Sequence, residues 1–179
     1  MIASKMMGPI FAQVASMMKT QKNYEKKWGG IERMDKVIVL NGGSDNGKTT
    51  TLNLLIDMFQ IIATSYEIKF APEEWEDKKD RWAYFDFYEK RIGICTSGDT
   101  KQTIKKNFEY FEEKNCDIAV CASHMWDGSG KAMEKRLKKL DADYDTWHKT
   151  KNNGTAQEFA AVIFESIIKE LNIVLKLTK

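Results

Sequence analysis

One segment near the start of the chain restricts the fold more than any other. The six residues from Lys36 to Asn41 are largely apolar and β-branched, which is typical of a strand buried on both faces of a parallel sheet. A glycine-rich octapeptide follows, Gly42-Gly43-Ser44-Asp45-Asn46-Gly47-Lys48-Thr49. Residues 48–63 then carry apolar side chains at helical spacing. The sequence therefore predicts a strand, a tight turn and a helix in direct succession.

The octapeptide has the spacing GxxxxGK[ST], in which each residue type suits a bound triphosphate. Gly42 and Gly47 let the backbone turn sharply and approach a phosphate closely. Successive backbone N–H groups then form an anion-binding nest at the positive end of the following helix. Lys48 supplies a mobile charge for the β- and γ-phosphates, and the Thr49 hydroxyl suits Mg²⁺. We assign all eight residues to the nucleotide-binding site, together with Thr50, whose hydroxyl can bind an α-phosphate oxygen.

On these residues the sequence resembles the P-loop NTPase superfamily, whose Walker A motif the octapeptide matches without a gap. The strands and helices predicted after it extend the resemblance more loosely to most of the chain. The resemblance implies an α/β fold, ATP and Mg²⁺ as ligands, and similarity to small kinases and ATPases. Asp45 puts a carboxylate inside the loop, and we expect it to face solvent or a second substrate because a triphosphate repels it.

Further segments predict strands that alternate with helices. The predicted strands are short apolar or alternating runs, at residues 66–70, 82–88, 91–96, 117–123 and 144–148. The predicted helices have apolar residues on one side, at residues 100–114, 129–140 and 155–175. The short gap before residue 91 predicts an antiparallel hairpin, and residues 72–81 are charged, which predicts a loop or a single helical turn. This order predicts a three-layer αβα fold with a mainly parallel sheet and right-handed crossovers.

Length and composition indicate one domain with an N-terminal extension. The 179 residues suit one globular domain. We assign residues 31–179 to a single nucleotide-binding domain, and residues 1–30 to a helical extension that packs on it, with an amphipathic helix at residues 10–28. The net charge of +2 gives no strong signal for nucleic acid or an acidic membrane. The three cysteines lack metal-ligand spacing, and Cys95 and Cys121 lie in apolar runs, which favours reduced core thiols and a cytoplasmic protein without a transmembrane segment.

The resemblance to P-loop enzymes also implies a carboxylate at the end of a neighbouring strand, where it holds Mg²⁺ or acts as a base. Asp99 is the best candidate because it follows the predicted strand at residues 91–96 and lies beside a turn of small residues. We therefore assign Asp99 and Thr49 to the metal, and Lys48 and Asp99 to catalysis. The alternative is that Asp99, or Thr100, caps the next helix, and the two roles are compatible.

The predicted strand at residues 117–123 ends in a second loop that should open toward the ligand, since ligands bind beyond the carboxyl ends of parallel strands. Ser123 and His124 are candidates for substrate contact and Asp127 for assisting the metal, although a structural role for His124 is the alternative. Asp86 would be a base if it faced the site, whereas a position on the solvent side of the hairpin is the other interpretation.

Resemblance to small kinases also implies a mobile lid with basic residues that clamp phosphate. Residues 128–136 combine two glycines with three basic side chains and are one candidate for it. Arg81 and Arg91 are the alternative clamps. The evidence for these assignments is composition and position in the chain.

The motifs that are missing narrow the function. Residues 151–154 read Lys-Asn-Asn-Gly, which is not the Asn-Lys-x-Asp guanine motif, so adenine is favoured. The signature of ABC ATPases is also missing. We expect an Mg²⁺-dependent ATP-binding protein, first of all a small-molecule or nucleotide kinase that transfers the γ-phosphoryl group. The alternatives are an ATPase or nucleotide-dependent switch that acts on a protein partner, and a nucleotide binder without turnover. The sequence does not identify the acceptor.

Overall fold

The computed structural model describes residues 34–70, 80–87, 90–125, 128–140 and 142–171. The helix predicted at residues 10–28, the extension assigned to residues 1–30 and the candidate Asp127 lie outside the described residues. So does most of the charged segment predicted as a loop at residues 72–81.

Six strands and four helices make up the described part of the chain, which confirms the predicted α/β class. In chain order they are β1 (Lys36–Asn41), α1 (Lys48–Ile62), β2 (Ser65–Phe70), β3 (Arg81–Phe87), β4 (Lys90–Cys95), α2 (Lys101–Glu113), β5 (Ile118–Ser123), α3 (Gly128–Leu137), β6 (Asp143–His148) and α4 (Ala156–Glu170).

The strands form one mixed sheet in the order β2-β3-β4-β5-β1-β6. The neighbours β4, β5, β1 and β6 are parallel to one another. Strand β3 is antiparallel to both β2 and β4, and the β3–β4 pair is the predicted hairpin. Because β3 runs in the opposite direction, its first residue lies at the edge of the sheet where the parallel strands end. We call this edge the carboxyl edge.

The central strands are buried on both faces, which explains their nearly continuous apolar sequences. In β1, Ile38 and Leu40 belong to a first apolar cluster that includes α1 and α4. Val37 and Val39, which point to the opposite face, belong to a second cluster that includes α2 and α3. Helices therefore pack against both faces of the sheet.

Aromatic rings join the elements of the first cluster. The ring of Phe59 in α1 lies with its centroid 5.7 Å from that of Phe85, 5.5 Å from that of Phe87 and 5.0 Å from that of Phe164. These contacts connect α1 to β3 and to α4, so the antiparallel strand is fixed to the same core as the parallel ones.

The second cluster contains Cys95 and Cys121, which are fully buried as the sequence predicts for core thiols. Burial raises the pKa of the Cys121 thiol to about 12, so this side chain is neutral at physiological pH. None of the helices in the described ranges combines the length and the apolar character that a membrane span requires.

Gly93, in the middle of β4, provides a test of this packing. A Cβ at Gly93 would lie 2.6 Å from Phe111 Cδ1 and 2.7 Å from Cys116 Sγ. We expect Gly93→Ala to lower the free energy of unfolding by about 1–3 kcal/mol because the second cluster has no room for it. Gly128→Ala is the control, since a Cβ there meets no heavy atom within 4 Å. Urea unfolding measures both variants, and equal losses would contradict this description of the cluster.

Candidate functional site

The octapeptide forms a loop between β1 and α1 at the carboxyl edge, and we call residues 42–49 the glycine loop. Asp45 and Gly47 adopt left-handed backbone conformations, with φ of 55° and 76°. Such conformations strain most side chains but not glycine. Asp45 is exposed, in agreement with its expected orientation toward solvent.

The N-terminus of α1 lacks the side-chain cap that begins α2 and α4. Its N-cap is Gly47, no side-chain cap bond is formed, and the first turn contains no acidic residue. By contrast, Thr100 caps α2 and Thr155 caps α4 through their hydroxyl groups. The first-turn N–H groups of a helix carry a partial positive charge, so this end of α1 favours an external anion.

Lys48 begins α1 and bends back over the glycine loop. Its side-chain ammonium group donates hydrogen bonds to the carbonyl oxygens of Gly42, at 3.1 Å, and Gly43, at 2.8 Å. Lys48 is only 6% exposed. The structure therefore holds a buried cation directly above the loop that the sequence assigns to phosphate.

The segment after β6 closes the other side of the glycine loop. Asn46 Nδ2 donates to the backbone oxygen of Lys149 at 3.1 Å, and the Lys149 N–H donates to the oxygen of Asn41 at 2.7 Å. A Cβ at Gly42 would lie only 2.4 Å from the Lys149 oxygen. The shape of the loop thus depends on Lys149, which sequence reasoning missed because only the strand order shows that β6 is the neighbour of β1.

A buried carboxylate lies beside Thr49. Asp80 Oδ1 is 3.5 Å from Thr49 Oγ1, and it accepts a hydrogen bond of 3.1 Å from Thr96 Oγ1. Thr49 Oγ1 is also 3.5 Å from the backbone oxygen of Thr96. Asp80 is 6% exposed. These oxygen atoms are the ligand type that Mg²⁺ prefers.

Asp80 was not among the residues that the sequence singled out for the site. The carboxylate chosen from the sequence for the metal follows a predicted strand, whereas Asp80 precedes β3. Because β3 is antiparallel, its beginning lies at the carboxyl edge beside the end of β4, and Arg81 N donates to Thr96 Oγ1 at 2.8 Å. The predicted hairpin could have identified Asp80 from the sequence. In a hairpin, the residue that precedes the first strand lies beside the residue that follows the second strand.

Asp99, the carboxylate chosen from the sequence, lies next to His124. Asp99 Oδ1 is 2.7 Å from His124 Nε2, and the Asp99 side chain is 68% exposed. The helix cap is Thr100, whose Oγ1 accepts from Thr103 N at 3.0 Å. The structure thus brings together two predicted residues, Asp99 and His124, but the carboxylate it places at Thr49 is that of Asp80.

Ser123 and Ser129 shape the loop around His124. Ser123 is buried, and its hydroxyl donates to the His124 oxygen at 3.2 Å. Ser129, at the start of α3, accepts a hydrogen bond of 3.1 Å from the His124 N–H. Ser123 is therefore a structural neighbour of the histidine.

The segment assigned to a lid forms most of α3, and its Met133 belongs to the second cluster.

Three other candidates lie in ion pairs. Asp86 and Arg91 pair at 2.7 Å near the beginning of β4, which is the edge of the sheet opposite to the glycine loop. Arg81 lies at the carboxyl edge, where it pairs with Asp57 of α1 at 2.9 Å and donates to the oxygen of Asn53. Asp86 and Arg91 are thus separated from the site by the length of the strands, and Arg81 fixes α1 to β3.

No family model, curated protein or solved structure matches this chain.

The close approach of Gly42 to the Lys149 oxygen predicts that a larger residue at position 42 lowers stability. Gly42→Ala should lower the free energy of unfolding by about 1–3 kcal/mol, because the new methyl group meets a backbone oxygen that is itself held in place. The measurement is urea unfolding. Ser44→Ala, in the exposed turn of the same loop, should change the free energy by less than about 0.5 kcal/mol. If the two variants were equally stable, the close approach at Gly42 would not constrain the loop.

Proposed function

We propose that this chain is an Mg²⁺-dependent ATP-binding protein with a three-layer P-loop domain, and that it transfers the γ-phosphoryl group to a small-molecule or nucleotide acceptor. The main support for the proposal is that three features lie together at the carboxyl edge of the sheet. They are an uncapped helix N-terminus, a buried lysine and a hydroxyl–carboxylate pair. Each of these has a partner in magnesium triphosphate.

Phosphate binding is supported by the glycine loop. The uncapped first turn of α1 offers N–H donors, and the ammonium group of Lys48 lies over the loop on neutral carbonyl oxygens. A phosphate in the loop would offer Lys48 charged acceptors, and charge-assisted hydrogen bonds are roughly twice as strong as neutral ones. The loop therefore gains from an anion of this size and charge.

The metal site is supported by Thr49 and Asp80. Among the described residues, no group of three or more His, Cys, Asp or Glu side chains is arranged to hold a metal ion. Mg²⁺ in nucleotide sites is typically bound through one or two protein groups, with phosphates and waters as the other ligands, so a single pair of protein oxygens fits it. When bound, the metal neutralises phosphate charge. Thr49 Oγ1 and Asp80 Oδ1 are 3.5 Å apart, so one cation could be held by both.

Asp99 and His124 are the proposed groups on the acceptor side. They lie at the same edge as the glycine loop, after β4 and β5, and the exposed carboxylate of Asp99 is accessible to a second molecule. An imidazole paired with a carboxylate is suited to accept a proton from an attacking hydroxyl group. This assignment keeps the catalytic role predicted for Asp99 from the sequence and transfers its proposed metal role to Asp80.

The alternative function, an ATPase or switch acting on a protein partner, is favoured by one observation. Strand β2 is at the edge of the sheet and exposes two aromatic side chains, Tyr66 at 46% and Phe70 at 71%. An edge strand with exposed aromatic residues can pair with another chain.

A transfer assay separates these functions. The protein is incubated with γ-labelled ATP and Mg²⁺, together with a pool of nucleoside monophosphates and sugars. Label in an acceptor supports the kinase, release of labelled phosphate alone supports the ATPase, and tight binding without either supports a plain nucleotide binder. Failure to bind MgATP in calorimetry would overturn the proposal altogether.

Lys48 should be essential for binding. Lys48→Ala removes a charge-assisted contact worth about 1.5–3 kcal/mol, so the affinity for MgATP should fall roughly 10- to 150-fold. Isothermal titration calorimetry measures the change. The control is Lys151→Ala, which removes an exposed lysine and should leave the affinity within twofold. A loss below twofold for Lys48→Ala would contradict the phosphate role.

The two candidate carboxylates differ in their expected dependence on the metal. Asp80→Asn keeps the shape of the side chain but removes its charge, so the Mg²⁺ concentration for half-maximal ATP binding should rise about tenfold, which corresponds to about 1.4 kcal/mol. Asp99→Asn should change this concentration less than twofold. Mg²⁺ titrations at constant ATP measure both. The opposite order of effects would restore Asp99 as the metal ligand.

A further inference from the structure

A second buried lysine lies against the glycine loop. Lys149, the residue after β6, is 3% exposed. Its ammonium group donates to the backbone oxygen of Gly154 at 2.9 Å and lies 4.5 Å from the centre of the Phe159 ring. Within the described part of the chain, no carboxylate is within ion-pair distance of this group. Its contacts are a neutral carbonyl and an aromatic face.

Glu158, an acidic residue whose pKa Lys149 lowers, forms its hydrogen bond with another group. Glu158 is exposed, and its carboxylate accepts the backbone N–H of Thr155 at 2.7 Å. This hydrogen bond is the main cause that lowers the pKa of Glu158, and the attraction of Lys149 is the smallest contribution in the same direction. Glu158 therefore completes the capping box of α4 and forms no ion pair with Lys149.

Burying an ammonium group is costly unless a charged partner compensates it. The position of Lys149 indicates which charged ligand could compensate its ammonium group. Its Cε lies 3.5 Å from the position that a Cβ of Gly47 would take, and its backbone oxygen accepts from Asn46. The side chain thus runs beside the turn that precedes the first N–H groups of α1, where the proposed phosphates bind.

We propose that Lys149 is a second cationic residue of the phosphate site, which neutralises bound polyphosphate from the side of β6 while Lys48 does so from α1. The inference rests on the proposed function, because it requires a polyphosphate in the glycine loop. Lys149 also positions the loop through its backbone, but its side-chain charge acts on the ligand. The two roles can be separated because a substitution of the side chain leaves the backbone contacts in place.

The experiment compares the wild type with two neutral variants, Lys149→Met and Lys149→Gln, and with Lys149→Arg. Glutamine retains a donor for the Gly154 oxygen, so it serves if the methionine variant folds poorly. The ligands are MgATP and inorganic tripolyphosphate, which has no base or ribose. Calorimetry is done at about 0.02 M and about 0.5 M salt, because salt screens charge–charge interactions. Thermal unfolding of each free variant reports on folding.

Both neutral variants should bind MgATP and tripolyphosphate about tenfold more weakly than the wild type at low salt. This difference should shrink at high salt, and Lys149→Arg should stay within about threefold of the wild type, because it retains the charge. Lys151→Met is the matched control, since it removes the same charge from an exposed position two residues away. It should change affinity less than twofold.

Two results would overturn the role of Lys149. One is a loss that is equal at both salt concentrations, or that appears with ATP but not with tripolyphosphate, since the lysine would then act on loop shape or on the nucleoside. The other is wild-type affinity in the neutral variants while Lys48→Ala loses binding. A wild-type protein that binds neither ligand is a different result, because it refutes the proposed function itself.

Discussion

The close packing of Gly42 between the ends of two neighbouring strands is the constraint on which the site depends. Its N–H donates to the Ser123 oxygen at the end of β5, and its α-carbon faces the Lys149 oxygen after β6. A side chain at this position would separate β1 from β6 or push the glycine loop outward. Because both neighbours are parallel to β1, all three strands end together, and the loop rests on their ends.

The antiparallel strand β3 places a buried carboxylate beside the glycine loop. Strand β3 begins where β4 ends, so its preceding residue, Asp80, is buried beside Thr49 and held by Thr96. Burial of a carboxylate is costly without hydrogen bonds, and the Thr96 hydroxyl donates one to Asp80. The same strand is fixed at its other end by the ring contacts of Phe59 and by the pair of Asp86 with Arg91. A carboxylate at the site is thus supported by the packing of the whole hairpin.

The features that the sequence predicted are those encoded by neighbouring residues. Strand, loop and helix from residue 36 to residue 62, the α/β class and the β3–β4 hairpin depend on local periodicity and on turn residues. Asp80 and Lys149 were missed because their roles depend on strand order and direction, which periodicity does not report. Asp99 was placed at the correct edge, but its side chain lies on His124, a contact between two loops that are distant in the sequence.

The proposed cationic groups and the proposed acidic groups lie on different sides of the carboxyl edge. This arrangement suggests from which side an acceptor would approach. Lys48 and Lys149 lie on the side of α1 and β6, whereas Asp80, Asp99 and His124 lie beyond β3, β4 and β5. Thr49 and Asp80 would hold the proposed metal, which would neutralise the charge of the phosphates. With a triphosphate bound as we propose, an acceptor on the side of Asp99 and His124 would supply the attacking group. Phosphoryl transfer and hydrolysis would use the same residues, and what distinguishes them is whether that side holds an acceptor or water.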